Sequence, residues 1–298
     1  MADAPQEPSV RLVRHPDEQQ RVALLDLVRR AADAGDDLDD LLTADLAHGP
    51  AADSYLAAVV DDADGNPCAY AQASEGNDGM VVGVVSTATP PERLRLHRTA
   101  LAALLDALPA ERDVTWWPSI ADEPLATRLG LHPDRRLLRM EAPLPLAATT
   151  DVATRPFRVG EDEGAWLDVN NAAFHWHGEQ GGWDHDTLRR REQEPWFDPA
   201  GFLLHERDGR LAAFCWTKRH DDGVGEVYVI AVHPDFHGLG LGRALTVAGF
   251  DHQYRHGATC GMLFVDDGNS NAVRLYESLG LQAVAARQSY HRHPGVPR

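Results

Sequence analysis

Hydrophobic positions run through the same order twice along the chain. In the first pass, apolar residues at helical spacing predict a helix over 17–34. Apolar runs follow at 55–60 and 69–73. The turn between them carries Asp64-Gly65 and Asn66-Pro67, which predicts a hairpin. A further run at 80–86, a helix-spaced stretch at 93–108, a strand at 114–117, a short helix over 125–130 and a strand over 136–144 complete the pass. The second pass repeats it: a helix over 164–175, then strands over 202–206 and 211–217 around Asp208-Gly209. An apolar strand at 226–232, an amphipathic helix over 243–256, a strand at 262–265, a helix over 272–280 and a last strand at 283–290 follow. A self-similar period of half the chain predicts two copies of one α/β fold in tandem. The expected domains are 1–145 and 152–298, joined by the Pro-, Ala- and Thr-rich segment 143–155.

Composition narrows what such a fold can do. The formal net charge of −18 opposes a general nucleic-acid role, because phosphate contacts need a basic surface. It leaves room for a local pocket that holds an anionic cofactor. No run of eighteen apolar residues predicts a membrane span. Residues 1–10 are polar and acidic, without the pattern of a signal peptide, so a cytoplasmic protein is expected. No heptad or obvious apolar patch appears, and a monomer is expected. Cys68, Cys215 and Cys260 form no C-x-x-C pair and sit among apolar neighbours, which predicts buried, inert thiols. Lys218 is the only lysine, and it stands out for that reason.

The chemistry concentrates in one segment of the second copy. The apolar strand ending Ile230-Ala231-Val232 runs through His233-Pro234 into His237-Gly238-Leu239-Gly240-Leu241-Gly242-Arg243, which opens the next helix. Glycines let backbone N–H groups close around an oxyanion, and the helix N-terminus adds its dipole. A pyrophosphate fits there without lysine or metal. A dinucleotide-binding turn would need G-x-G-x-x-G and an acidic residue about twenty positions on. A Walker loop would need Gly-Lys-Ser/Thr. Neither pattern is met.

This segment resembles the pyrophosphate loop of the GCN5-related N-acetyltransferase (GNAT) family, Gln/Arg-x-x-Gly-x-Gly/Ala, with His237 in place of Gln or Arg. The block Asn269, Ser270, Asn271, Ala272, Val273 and Arg274, followed by Tyr276 and Gly280, resembles that family's last motif. A narrower resemblance, to the mycothiol synthases, covers nearly the whole chain. It rests on the run from His177 to Trp183, on Trp216-Thr217-Lys218, on Gly225 to Val229, and on Trp116-Trp117, Leu129-Gly130-Leu131 and Leu137 to Met140 in the first copy.

The resemblance implies two tandem GNAT-like domains, each a mixed, mostly antiparallel sheet flanked by helices. It implies acetyl-CoA as co-substrate and a small-molecule acceptor, the cysteinyl amine of a cysteine–glucosamine–inositol conjugate. Glu226 is then the general base, where otherwise it is a strand-edge glutamate, and Tyr276 is the acid that protonates the departing sulfur. Amides of Ile230, Ala231 and Val232 would pair with the pantetheine arm, which requires their strand to splay from its neighbour. Amides from His237 to Arg243 would hold the pyrophosphate, with residues 269–274 near the arm. Asp40, Glu179, Lys218, Glu226 and position 264 are the implied acceptor contacts. Position 264 is Phe264 where the family usually has Tyr, and Asp40 stands among Asp36, Asp37 and Asp39.

In the first copy Pro90-Pro91-Glu92-Arg93 stands where the glycines would be. Prolines lack N–H groups and Glu92 repels phosphate, so catalysis is not expected there. Neither His175-x-His177 nor any other histidine has a familiar ligand spacing, and no metal is expected. Trp176 and Trp183 fit a sugar platform or the core equally well. Two other functions stay open at this level: acetylation of another small amine or a protein N-terminus, and a non-enzymatic sensor of acyl-CoA. An acceptor screen reading CoA release separates the three.

Overall fold

The computed structural model describes residues 9–36, 46, 55–76, 79–175 and 180–293. The chain forms two compact units. The first comprises Met1–Arg135 and Arg287–Arg298, the second Arg136–Ala286.

The first unit opens with β1 (Ser9–Val13) and α1 (Glu18–Asp33). Asp17 caps α1: its carboxylate accepts from the Gln20 amide while the Gln20 side chain accepts from the Asp17 amide. Strands β2 (Leu56–Asp61), β3 (Pro67–Gly76) and β4 (Gly79–Ser86) form an antiparallel meander with β1. After α2 (Glu92–Ala107), β5 (Val114–Trp116) joins β4 in parallel. α3 (Glu123–Arg128) leads into β6 (His132–Pro143). α1 buries Leu24, Leu27, Val28 and Ala31 with Tyr55, Val59 and Tyr70. α2 buries Leu96, Ala100, Leu101 and Leu104 with alternate residues of the same strands. Each such leucine contributes about 2 kcal/mol.

The second unit repeats the path. It contains β7 (Arg155–Pro156), α4 (Glu163–Ala173), α5 (His185–Glu192), β8 (Phe202–Arg207), β9 (Arg210–Arg219) and β10 (Val224–Val232). It continues with α6 (Leu241–Arg255), β11 (Cys260–Asp266) and α7 (Ser270–Ser278), and ends in β12 (Gln282–Arg292). Strands β7 to β10 pair antiparallel, and β10 meets β11 in parallel. The β8–β9 hairpin turns on Asp208 (φ 53°) and Gly209 (φ 75°), the two positive φ angles that a two-residue hairpin requires. α6 packs on β9 and β10 at close range: a Cβ on Gly249 would lie 2.5 Å from Cys215 Sγ. On the opposite face Trp166, Trp183, Phe202 and Trp216 pack edge to face or stacked. Trp183 is therefore a core residue.

The closing strands differ from the expected domain division. Residues 137–143 of β6 pair with β11, so they belong to the second unit. Residues 290–292 of β12 pair with β5, so the end of the chain belongs to the first. The units divide between Arg135 and Arg136 instead of within 143–155. Leu144 and Leu146 of that segment are buried in the second unit's core. Among the described residues, no helix is long and apolar enough to cross a membrane.

Candidate active site

Glu226 sits near the start of β10, opposite Lys218 of β9 and Met262 of β11. Pairing of β10 with β11 covers only Val224 to Glu226, while β11 remains paired with β6 as far as Asp266. The two strands therefore part beyond Glu226. On the other side, the β9–β10 register shifts between Val227 and Val229, a bulge at Tyr228. Past the bulge, the His233 amide donates to Ala212 O at 2.9 Å. Antiparallel alternation then turns Val229 and Ala231 towards β9 as well, and turns the N–H groups of Ile230 and Val232 towards the gap. Of the three expected amides, Ala231 is thus engaged in the sheet and two face the opening.

The turn after β10 is held from within. His233 Nδ1 accepts from the Asp235 amide at 3.2 Å, and the His237 amide donates to Pro234 O at 3.2 Å. The His237 ring folds back, with Nε2 donating to Val232 O at 3.0 Å. His237 therefore fastens the turn, and its amide is not available. Gly238 (φ 79°) and Gly240 (φ 74°) take left-handed conformations, and Gly240 starts α6 with no side-chain cap. The first helical bond is Ala244 N–H to Gly240 O. Between these, the N–H groups of Gly238, Leu239, Gly240, Leu241, Gly242 and Arg243 have no acceptor among the described residues. A Cβ on Gly242 would meet only Leu275 and Val232, at 3.9 and 4.0 Å, so the protein's own packing does not demand glycine there.

α7 lies against this turn. Arg243 Nη1 donates to Ser278 Oγ at 2.7 Å. Asn269 caps α7, its Oδ1 accepting from the Ala272 amide at 3.2 Å, and Asn271 Oδ1 accepts from Arg274 at 2.6 Å. Ser270 N–H donates to Gly268 O and Val273 N–H to Asn269 O. Tyr276 is buried in the same core as Phe236, Leu241 and Leu245. Desolvation, then the nearby Cys215, pushes its phenol far up, so it stays protonated well past neutral pH.

One face of the sheet collects the remaining polar groups. Lys218 Nζ lies 4.8 Å from the centre of the Trp196 ring and 5.9 Å from that of Tyr228, two adjacent cation–π seats. Glu226 is 7% exposed at its side chain, and its Oε2 is 2.7 Å from His220 Nε2. Met262 and the exposed Phe264 lie along the same face of β11, in register with Glu141 and Arg139 of β6, which form an ion pair at 2.7 Å. Cys260 shares this face, half-buried. Burial and then Glu141 raise its thiol pKa, burial raises that of Cys215, and burial with Asp62 and Asp61 raises that of Cys68. All three thiols are held protonated, although only Cys215 is fully buried.

Asp40, Glu179, Trp176 and His177 lie outside the described residues. Glu226, Lys218 and Phe264 share one face of the second unit's sheet, and the glycine turn lies beside α7. His220, Trp196 and Tyr228 were missed as site residues. Strand alternation could have found the first: in a Lys218–Glu226 hairpin, His220 lies two residues past Lys218 on the same face. Among the described residues, Asp113, His291 and His293 of the first unit approach one another at a spacing that could hold a metal ion.

The acetyltransferase (GNAT) family model matches residues 170–281, the stretch that holds the glycine turn, Glu226 and Tyr276. A mycothiol acetyltransferase of Geodermatophilus obscurus is 39% identical over 96% of this chain and 98% of its own length. That of Thermomonospora curvata is 43% identical over 78% of this chain and 80% of its own. The chain belongs to the mycothiol acetyltransferase family. A tandem GNAT protein from the clavulanic acid biosynthesis pathway shares its fold, with a TM-score of 0.67 at 16% identity over 98% of this chain and 100% of that one. This mycothiol acetyltransferase family member is thus an N-acetyltransferase built from two GNAT folds. The expected fold class holds for both units.

Proposed function

We propose that this protein uses acetyl-CoA to acetylate the cysteinyl amine of a cysteine–glucosamine–inositol conjugate, the last step of mycothiol biosynthesis. The observation that carries this reading is the row of N–H groups from Gly238 to Arg243, which have no acceptor among the described residues and stand at the positive end of α6. A diphosphate supplies the acceptors such a row lacks, and the fit needs no cation. GNAT acetyltransferases use acetyl-CoA, which when bound supplies the activated acetyl group.

The chain's own residues then divide the work. Ile230 and Val232 orient the pantetheine arm with the N–H groups that β11 leaves open. Glu226 takes the proton from the acceptor's ammonium, whose ordinary pKa near 8 makes a modest base sufficient. Lys218 donates to hydroxyls of the acceptor, and Phe264 gives it an apolar wall. Asp40 and Glu179 remain proposed acceptor contacts by resemblance. Tyr276 donates a hydrogen bond from its hydroxyl to the sulfur as negative charge gathers there. Residues 269–274 shape the rim beside the arm, mainly through Arg274 and the α7 cap.

Purified protein with acetyl-CoA and the desacetyl conjugate should release CoA and give a product heavier by one acetyl group, by mass spectrometry. Glucosaminyl-inositol without the cysteine should give neither. CoA release with unrelated amines but not with the conjugate rejects the acceptor. Absence of acetyl-CoA binding by calorimetry rejects the role of the glycine turn.

A further inference from the structure

The carboxylate read above as the general base has a neighbour that nothing in its own motif demands. We infer that His220 is a positioning residue for Glu226, holding Oε2 by a hydrogen bond so that Oε1 is left to take the amine proton. This rests on the reading of Glu226 as the base.

The geometry is specific. Nε2 of His220 and Oε2 of Glu226 are 2.7 Å apart, a distance for a charge-assisted bond. Glu226 is buried, and His220 supplies its one side-chain hydrogen bond among the described residues. A buried carboxylate without a donor is driven towards its protonated form, in which it cannot act as a base. The nearby ammonium of Lys218 leans over Trp196 and Tyr228.

The histidine is also held in place by its turn. His220 N–H donates to Val224 O and Gly223 N–H donates to His220 O, both at 3.0 Å, and the Val224 amide donates to Asp222 Oδ1 at 3.0 Å. The ring therefore meets the carboxylate without ordering a loop. The other charged groups around the pair are Lys218 and Arg219 on β9, Asp221 and Asp222 in the turn, and Glu141 with Arg139 on β6. In the step itself an N–H bond of the acceptor ammonium breaks and an O–H bond forms at Glu226 Oε1. His220 keeps its Nε2–H throughout, and the freed amine carries the lone pair that attacks.

The test is steady-state kinetics of the full-length protein with acetyl-CoA and the desacetyl conjugate, between about pH 6 and 9. Wild type is compared with His220→Ala, His220→Gln and Glu226→Gln, each checked for folding by thermal unfolding and for acetyl-CoA binding by calorimetry. His220→Ala should lose about ten-fold or more in kcat, with KM for acetyl-CoA unchanged. The acid limb of its kcat/KM profile should move to higher pH, because a carboxylate that has lost its donor is protonated more readily. His220→Gln offers an amide N–H to the same oxygen, and should recover most of the rate and return the acid limb towards wild type.

A wild-type rate and profile in His220→Ala overturns the inference, as does a glutamine variant no better than alanine with an unmoved acid limb. Should the alanine variant fail to fold, His220→Leu, which fills the site without a donor, takes its place: a wild-type rate and profile there overturns the inference, and a loss that His220→Gln restores supports it. Full activity in Glu226→Gln removes the base, and the inference with it. Loss there beside an unaffected His220→Ala keeps the base and rejects only the histidine.

Discussion

The two units follow one path, strand for strand, and differ most where the fourth strand of the meander hands over to a helix. In both, that strand pairs in parallel with its neighbour over three residues, Met80 to Val82 in one and Val224 to Glu226 in the other. Both short helices end on the same motif, Leu-Gly-Leu, with Leu131 N–H donating to Ala126 O and Leu281 N–H to Tyr276 O. Matched this way, Glu226 corresponds to Val82, Lys218 to Ala73 and Tyr276 to Ala126. The turns diverge as well. In the first unit the Ser86 amide donates to Asp36 Oδ2 at 2.8 Å, and the Arg93 guanidinium donates to Ala34 O, Gly35 O and Ala88 O. The first unit answers its turn with its own side chains. The second leaves a row of donors open among the described residues, and that incompleteness is what the proposed diphosphate would fill.

The sharpest way to break this contrast is to give the second unit the anion that the first already carries. Glu92 lies in the first turn of α2, paired with Arg95. Gly242→Glu places a carboxylate in the first turn of α6, among the open N–H groups. Acetyl-CoA affinity should fall about 100-fold, close to 2.7 kcal/mol. The thermal midpoint should stay within about 2 °C of wild type, because the new Cβ meets only ordinary contacts. The reverse change, Glu92→Gly, should create no affinity, since Pro90 and Pro91 still lack N–H groups and Arg93 and Asp36 still occupy the turn. Calorimetry with acetyl-CoA reads both. Undiminished affinity in Gly242→Glu would place the diphosphate elsewhere.

The second contrast concerns charge. His97 is fully buried in the first unit, with Nε2 3.1 Å from Asp36 and Nδ1 3.2 Å from Asp122. Burial alone would lower its pKa, but the bonds to Asp122 and Asp36 outweigh it and raise the value to about 8. A raised histidine stabilises the fold fully below its ordinary pKa of about 6.5, and that stability is lost as pH rises through about 8. About 2 kcal/mol should disappear over that interval. Hydrogen exchange localises the effect: α2 amides should lose protection between about pH 6 and 9, and those of the glycine turn and early α6 should change much less. His97→Gln should flatten the dependence. Equal loss in both units would break the distinction.

What the sequence discloses follows the same line. The glycine turn is legible, because left-handed glycines and a helix start are local features. Glu226 and Lys218 are legible on their strands, and alternation would have added His220. The bulge at Tyr228 and the parting of β10 from β11 are not, since both depend on what β11 pairs with on its far side. That partner is β6, written far upstream. The exchange of closing strands is hidden for the same reason: apolar alternation in β6 and β12 is satisfied by either neighbour. His97 meets carboxylates 25 and 61 positions away, a distance no local pattern spans. α5 escaped because Leu188 is its only buried residue, and Asp184, whose side chain accepts from Thr187 N–H, starts it in place of an apolar stripe.

The smallest effect tests the last difference, Tyr276 against Ala126. Because burial holds the phenol pKa far above that of a thiol, complete proton transfer from Tyr276 to a departing thiolate is uphill. On the proposed reading the hydroxyl would instead donate a hydrogen bond as charge gathers on sulfur, which predicts a modest contribution. Tyr276→Phe should lower kcat about ten-fold, about 1.4 kcal/mol, with KM for both substrates near wild type. Its hydroxyl has no hydrogen-bond partner among the described residues, so the same variant should lose little or no thermal stability. The alkaline limb of the kcat profile should match wild type, because the phenol does not ionise within the assay range. A wild-type kcat in Tyr276→Phe would leave the sulfur to be protonated by water. The ring would then remain as packing under the glycine turn, and the two units would differ in Glu226, in Lys218 and in their open amides.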